Sequence, residues 1–545
     1  MSDIFLCLFY FLIFSVIILR SKWFKAGGFN NIHFLFLFYL KLLFGVGLWL
    51  LYTHYYKNRV TSDIFKYYDD AKMAYDTLPN IKDYLTMLTG IGDSGTHYQA
   101  LYQSMNSWNN KYGSILYNNS HFIIRLNAFF LLLSHGCYGV HVIFMCFIAL
   151  VGLTYIYKAF LPFLTERSKE LFAAVFLFPS VILWSSGILK EGLVWFGLGL
   201  SIYYFFQLLN TSAIRLKYIL CVFIGFLLLY ETKAYSLLCL LPCFIAQFLL
   251  RKTAFFNTLS RPGKKDMRTL VTYAFVFIMY MVVVLLPHAV FHTASPLQMI
   301  SDKQNDFNRI SKGGIYLENI KHTNIKPGNE FAFISVADST GIIPLTSHAD
   351  SLLHKNGIQY LASNPVAYKE WTRNAKIPFI LKKGISFSRI IIGSKDTLHL
   401  IASDSTTYWI YTYIETANSR IKIEPIKPNI VSLVSHIPQA LNVSLLLPYP
   451  WQLRSAMTAI YCAENIFVFM LFFIALFFFK RPVLHQDFAL FCLTYSLMML
   501  VLIGLVSPIL GGIERYKSVV IPFMFILLLL TTDKDKISNV FKLKK

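Results

Sequence analysis

The feature that most constrains this chain is the recurrence of apolar runs close to twenty residues long, separated by short loops that carry Lys and Arg. The hydrocarbon core of a bilayer is about 30 Å thick and a helix rises about 1.5 Å per residue, so about 20 apolar residues cross it. Lipid offers the backbone no hydrogen-bond partners, so each such run must be an internally bonded helix. Only 14% of the 545 residues are charged and 56% are hydrophobic, whereas a soluble domain is about 25% charged. A net charge of +22 raises the question of nucleic acid, but its placement in loops between apolar runs is the positive-inside pattern of membrane proteins. The 17% aromatic content fits headgroup boundaries, which Tyr and Trp favour.

Loop charges predict the topology. Spans are expected at 4–19, 33–54, 139–160, 171–188, 193–209, 218–230, 235–250, 270–290, 457–479, 488–506 and 518–531. The first lacks a basic segment before it and is followed by Arg20, Lys22 and Lys25, so it reads as a retained span, not a leader. Residues 121–137, interrupted by Arg125, His135 and Gly136, read as a re-entrant or interfacial helix. The expectation is an all-α polytopic membrane protein of about 11 transmembrane helices, N-terminus outside, with a basic cytoplasmic tail and a β-rich extracytoplasmic insertion. Its parts are 1–54 (first helices), 55–138 (acidic outer loop and interfacial helix), 139–290 (transmembrane core), 291–456 (insertion) and 457–545 (last helices and tail).

Within the insertion, Phe331–Val336, Ser388–Ile392, Thr397–Ala402, Thr406–Glu415 and Arg420–Glu424 read as strands, with a hairpin connection at Ser403-Asp404-Ser405. Residues 430–450, apolar and punctuated by Pro438, Pro448 and Pro450, are expected along the outer interface. The insertion serves as a packing module, as a substrate-binding element, or, over 291–445, as a surface for an envelope protein.

Ionisable groups at membrane depth are costly and mark function. Here the topology sends them mostly to one side. Asp63, Asp69 and Asp70 lie in the first outer loop, Lys190 and Glu191 in one tight outer turn, and Glu231 and Lys233 in the next. Glu464 lies in the outer half of a span, and Glu514 and Arg515 in the last outer loop. Bundled, these segments would line one outward polar cavity. A carboxylate there can take a proton from an incoming hydroxyl, and Lys and Arg can hold a phosphate. Asp69-Asp70 is the preferred acid pair, set against a solvated helix start favoured by the helix dipole. Lys190 and Arg515 read as phosphate contacts, or as ion pairs with Glu191 or Glu514, or as snorkelling cations. Glu231 and Lys233 could pair with each other, and Glu464 could bond a neighbouring helix. Arg125 either orients the interfacial helix or meets a lipid phosphate.

Other chemistry finds little support. His288 and His292 share a helical face without a third ligand, so no metal site is expected. All eight cysteines lie in or beside apolar segments, which argues against a disulfide framework. Gly92-Asp93-Ser94-Gly95 lacks the context of a nucleophile elbow, and no phosphate-cradling glycine fingerprint is present.

Three elements carry a resemblance. Phe178-Pro-Ser-Val-Ile-Leu-Trp-Ser-Ser-Gly-Ile-Leu-Lys-Glu-Gly192 looks like a recurring element of bacterial polytopic sugar-transfer proteins. Glu514-Arg-Tyr-Lys517 followed by Pro522 resembles the Arg-Tyr…Pro element near the last spans of GT-C superfamily glycosyltransferases, and the acid-bearing first outer loop matches their plan. The resemblance implies a polyprenyl-phosphate-sugar donor, inverting transfer outside a bacterial inner membrane, Asp69 or Asp70 as base, and Lys190 and Arg515 against the donor phosphate; Lys233 is a further phosphate-binding candidate. No cofactor is implied, and a role for a divalent metal stays open. An extra N-terminal span and an insertion placed among the late spans depart from that plan. A large outer loop between late spans is also what an O-antigen-type polymerase or ligase carries. From a different class, Pro179 and Pro242 could mark the broken helices of a transporter, and a membrane assembly scaffold is a further alternative.

Overall fold

The computed structural model describes residues 3–56, 59, 62–105, 107–108, 118–211, 215–253, 265–291, 296–312, strand segments between 314 and 414, 417, 419–453, 455–480 and 485–542. Among them, seven helices are long and apolar enough to cross a membrane. In chain order the helices begin with α1 (Asp3–Arg20), α2 (Asn31–Leu50, continued to Tyr55), α3 (Asp63–Tyr75), α4 (Ile81–Thr89), α5 (Thr96–Ser104) and α6 (His121–Ser134). Then come α7 (Tyr138–Phe160), α8 (Ser168–Phe176), α9 (Pro179–Trp184), α10 (Lys190–Asn210), α11 (Leu216–Lys252), α12 (Lys265–Phe291) and α13 (Pro296–Lys312). After the insertion follow α14 (Ile430–Leu445), α15 (Ala456–Phe477), α16 (Gln486–Val506), α17 (Leu510–Lys517), α18 (Ile521–Thr531) and α19 (Lys534–Lys542). The seven long apolar helices are α1, α2, α7, α10, α11, α15 and α16. This is a multi-pass helical architecture.

Side-chain contacts fix the helix directions. Cys7 lies 3.4 Å from Cys137, Phe14 stacks near Phe147 at 4.4 Å, and Trp23 meets Tyr155 at 4.6 Å. So α1 runs parallel to α7. The α7–α10 crossing is close enough that a Cβ on Gly152 would stand 2.5 Å from the Phe196 backbone, which only glycine permits. Within α11, Lys233 has φ −148° and ψ 77°, outside the helical region. Phe226 and Phe244, eighteen residues apart, have ring centroids 5.5 Å apart; a straight helix would separate them by about 27 Å. The chain therefore doubles back at Lys233, and the reversal expected at 231–234 is present.

Elsewhere the helices differ from the expected spans. The run at 171–188 is not continuous: α8 stops at Phe176 and α9 restarts at Pro179, because proline has no N–H to continue the ladder but suits a first helical turn. The last expected span, 518–531, holds an eleven-residue helix, α18, entered through α17. Seven helices meet the length for crossing, against eleven expected runs. Helix α6 is fourteen residues long. It ends at His135 and Gly136, both with positive φ, and the Gly136 carbonyl accepts a hydrogen bond from the Tyr68 hydroxyl of α3.

Between α13 and α14, short strand segments pair antiparallel in three separate sheets. Thr406–Ile414 pairs with Gly314–Asn319 and with Ile377–Leu381. Phe331–Val336 pairs with Ser339–Pro344, and Ser386–Ile390 with Thr397–Ile401. The connection at 403–405 lies outside the described residues, and the strands flanking it belong to different sheets. Arg420–Glu424 forms no strand: it makes a single bridge, Arg420 to Ile509. Helix α14 packs on α16 and leaves Ile430, Val431 and Val434 exposed, with Trp451 beside it 78% exposed. Gln304 of α13 ties the two ends of the insertion together. Its amide donates to the Glu424 and Leu505 carbonyls and accepts from the Ile426 N–H.

The core is aromatic, with Trp195, Tyr157, Tyr495, Phe160, Phe491 and Phe523 fully buried. Basic loop residues gather at one end of the bundle, where Arg167 donates to the Leu529 and Thr532 carbonyls and Arg251 pairs with Asp487. The first residues of α1, α7 and α10 stand at the opposite end, with the turn at Lys233.

Candidate functional site

At that opposite end four elements converge. Asp63 opens α3, and one of its oxygens accepts from Lys66 one turn later at 2.5 Å, the spacing at which helical side chains meet. Its other oxygen accepts from the Arg515 guanidinium of α17. Arg515 Nε also donates to Glu191 Oε1 at 2.7 Å, and Lys233 Nζ, from the reversal in α11, donates to the same oxygen. Lys190 precedes Glu191 and so points about 100° away round the helix. Its Nζ donates to Asn119 Oδ1 at 2.6 Å and Ser120 Oγ at 3.1 Å, and stands 5.2 Å from the Tyr67 ring. Lys233 lies 4.1 Å from the Tyr516 ring.

Glu191, Lys190 and Lys233 are buried, whereas the side chains of Arg515, Asp63 and Lys66 keep 11%, 25% and 21% exposure. The cluster is thus open along its Asp63–Lys66 edge. Four basic side chains (Lys66, Lys190, Lys233, Arg515) face two carboxylates (Asp63, Glu191), a formal surplus of +2 with every group counted as ionised. Among the described residues no carboxylate lies within ion-pair distance of Lys190. Burial works to lift the Asp63 carboxyl, but Lys66 and Arg515 outweigh it and hold it well below the usual carboxylate range. Burial pushes the Tyr67 and Tyr516 hydroxyls up, so both stay neutral donors. Glu191 Oε2, Tyr235 Oη and Trp184 Nε1 are buried with no hydrogen-bond partner among the described residues. A buried polar atom in that condition is costly unless a ligand or water meets it.

The structure brings together Asp63, Lys190, Glu191, Lys233 and Arg515 from the expected set. Asp69 and Asp70, on the same helix, have other partners: Arg59 grips Asp69 through two nitrogens at 2.6 and 2.8 Å, and buried Asp70 accepts the Ser107 N–H at 2.6 Å. Lys233 pairs with Glu191, toward which the non-helical turn at Lys233 carries its side chain. Arg515 pairs with Asp63 and Glu191, not with Glu514. Glu514 instead accepts from Lys517 at 2.7 Å and from Asn465 at 3.3 Å. Glu464 accepts from Ser180 Oγ and N–H at 2.6 and 3.1 Å, closing the start of α9. Arg125 lies 5.1 Å from the Trp108 ring, donates to the Met87 carbonyl at 3.3 Å, and stands 3.9 Å from Asp93.

Lys66, Asn119, Ser120, Tyr67 and Tyr516 belong to the site without having been singled out in the sequence. Lys66 could have been, from its position three residues after Asp63; Asn119 and Ser120 carry no such signal. Among the described residues no three His, Cys, Asp or Glu side chains gather as a metal site. The side chains of His288 and His292 lie outside the described residues. All eight cysteines are free thiols.

Comparison with protein-family models, with curated proteins and with solved structures found no match to this chain.

Proposed function

We propose that this chain is an integral-membrane glycosyltransferase that moves a sugar from a polyprenyl-phosphate-linked donor to an envelope acceptor on the outer face of a bacterial inner membrane. The observation that carries the reading is the formal excess of basic over acidic side chains in the cluster at the end of the bundle away from the basic loops. Buried charge without a partner is strongly destabilising, so the cluster suits an anion arriving from outside. Arg515 offers a planar fork and Lys190 and Lys233 point charges, the usual phosphate contacts.

The chemistry follows from that placement. The bond between the anomeric carbon and the phosphate oxygen breaks, and its electron pair goes to the phosphate, which Lys190, Lys233 and Arg515 stabilise. The acceptor hydroxyl oxygen bonds the anomeric carbon from the opposite face and its proton passes to a carboxylate. Asp63, at the open edge, takes the role that the sequence assigned to Asp69 or Asp70. Once a phosphate draws Arg515 toward itself, Asp63 loses a cation and gains basicity. The eleven-crossing topology and an ordered β-rich outer domain over 291–456 belong to the same reading. A polymerase or ligase acting on lipid-linked glycans would use the same site with a larger acceptor.

The test is lipid-linked glycan profiling in a deletion strain carrying Asp63→Asn, Lys190→Met or Asp69→Asn. The first two variants accumulate the lipid-linked donor, with transfer down about 100-fold or more for loss of a base. Asp69→Asn stays near wild type, since a partly exposed ion pair contributes only about 0–1 kcal/mol. Full transfer by both Asp63→Asn and Lys190→Met, each shown to be inserted and folded, overturns the reading and favours a transporter or assembly scaffold.

A further inference from the structure

We infer that Cys7 and Cys137 are joined as a disulfide once the chain is inserted, by exchange with a protein disulfide in the compartment outside the membrane. The inference is independent of the transferase reading and rests on the outward placement of this end of the bundle. The two sulfurs stand 3.4 Å apart across 130 residues of sequence. A disulfide holds its sulfurs about 2.05 Å apart, so closure takes about 1.4 Å, within reach of side-chain rotation. Gly139, in the first turn of α7, keeps the space open: a Cβ there would stand 2.6 Å from Cys7 Sγ.

The depth of the pair suits an outside oxidant. Cys137 caps the start of α7, and each of the other seven cysteines lies within a helix. Its sulfur is 3.6 Å from the carbonyl of Asp3, the first residue of α1, and its neighbours His135 and Gly136 are exposed. Cys7 lies four residues into α1, about 6 Å along the axis. Both thiols therefore sit at the membrane boundary, at the end away from the basic loops, where an oxidising compartment sustains disulfides. Cys146 and Cys243, by contrast, are buried in the bundle against the carbonyls of Lys41, Cys239 and Phe491.

The exchange balances. The Cys7 thiol, the more exposed of the two, loses its proton and bonds one sulfur of the oxidant's disulfide, whose other sulfur leaves and is protonated. Cys137 then loses its proton and attacks Cys7 Sγ, and the oxidant departs as a dithiol carrying the two electrons and two protons. The bond serves α1. Ile4, Phe5, Leu8 and Phe9 of that helix are exposed, and lipid tails are as apolar as the helices it packs on, so the bilayer supplies no hydrophobic drive for docking. The Tyr10 hydroxyl donates to the Leu133 carbonyl at 3.0 Å, just before the turn that holds Cys137. The Gly136 carbonyl of the same turn accepts from Tyr68 of α3. The disulfide thus fastens α1 to the turn that seats α3.

The experiment counts thiols on the full-length protein in cells quenched with acid, denatured in detergent and treated with a polyethylene-glycol maleimide. Of the eight cysteines, six react without reductant and all eight after reduction. Cys7→Ser and Cys137→Ser each give seven with or without reductant. Eight reactive thiols in the wild type before reduction overturn the inference, as do fewer than seven in either variant, which would assign the bond to another pair. Anaerobic cells lacking an outer-compartment dithiol oxidase give eight; six there overturns the exchange with a protein disulfide. Because the count is made on denatured protein, a variant that folds poorly still reports.

Discussion

Replacing Arg515 tests whether the cluster is a bonded network or a loose collection of charges. Its Nε meets Glu191 and its terminal nitrogen meets Asp63, so one side chain bridges two helices that start far apart in sequence. Arg515→Met leaves Asp63 to Lys66 and Glu191 to Lys233. Removing one partner of a buried ion pair costs about 3–5 kcal/mol. The surviving partners and the 11% exposure of Arg515 put the expected loss at the low end, about 3 kcal/mol. Glu191→Gln alone leaves Arg515 with Asp63 and Lys233 over Tyr516, with a similar loss. The double variant then loses less than the two singles added, by a coupling of about 1.5–3 kcal/mol, the range for a hydrogen bond between charged groups. The assay is reversible unfolding in mixed micelles, with the four stabilities arranged as a double-mutant cycle. Additivity within about 0.5 kcal/mol would show that Arg515 and Glu191 are not in contact and would refute the assembly of the site.

Three further outcomes are expected. Glu514 is wholly buried, and burial lifts its carboxyl above the usual range despite the pull of Lys517. The fold then holds a proton that the unfolded chain releases first, so stability falls as pH rises from about 4.3 toward the raised folded value. Glu514→Gln flattens that slope, and unfolding measured from pH 4 to 8 shows it; parallel slopes for both proteins count against the burial argument. Asp63 is shifted the opposite way, so its contribution is fully present above about pH 3.9 and is lost only in stronger acid. The Asp63→Asn variant should accordingly show no change in the shape of the stability profile between pH 5 and 8, while a new titration in that window would contradict the pairing. Cys7 and Cys137, 3.4 Å apart, should join under mild oxidation. With a protease site introduced at 109–117, the two fragments stay together until reduced; separation without reductant would mean that α1 does not run beside α7.

Much of the fold was legible because the bilayer imposes a simple length rule. The helices at α1, α2, α7, α10, α15 and α16 begin and end within a few residues of the apolar runs. The reversal at Lys233 was legible too, because Glu231–Ala234 interrupts a run too long for one crossing. The break at Phe178–Pro179 was visible as a proline, but reading the run as one span ignored what proline does in a helix interior. The membership of the site followed from topology, which sends Asp63, Lys190, Lys233 and Arg515 to one side. The pairing did not, because adjacent or nearly adjacent charges suggest partners that helix geometry forbids. Asp63 and Asp70 are seven residues apart and share a helix face, whereas Asp69 points away toward Arg59. Helical periodicity alone therefore separates Asp69 from Asp63. Nothing local marks Asn119 and Ser120 as the partners of Lys190, since that contact depends on how α6 docks. Lys41, buried in α2 and bonded to Ser185, lies within an apolar run, where no outward loop marks it.

The most direct measurement is impermeant maleimide labelling of Lys66→Cys, in a protein otherwise free of cysteine, in intact cells. The side chain lies at the open edge and is 21% exposed. A cationic pocket facing outward predicts rapid labelling from outside, slowed when a farnesyl-phosphate-linked sugar is added. Labelling that requires permeabilised cells, or that the lipid-linked sugar leaves unchanged, would contradict it.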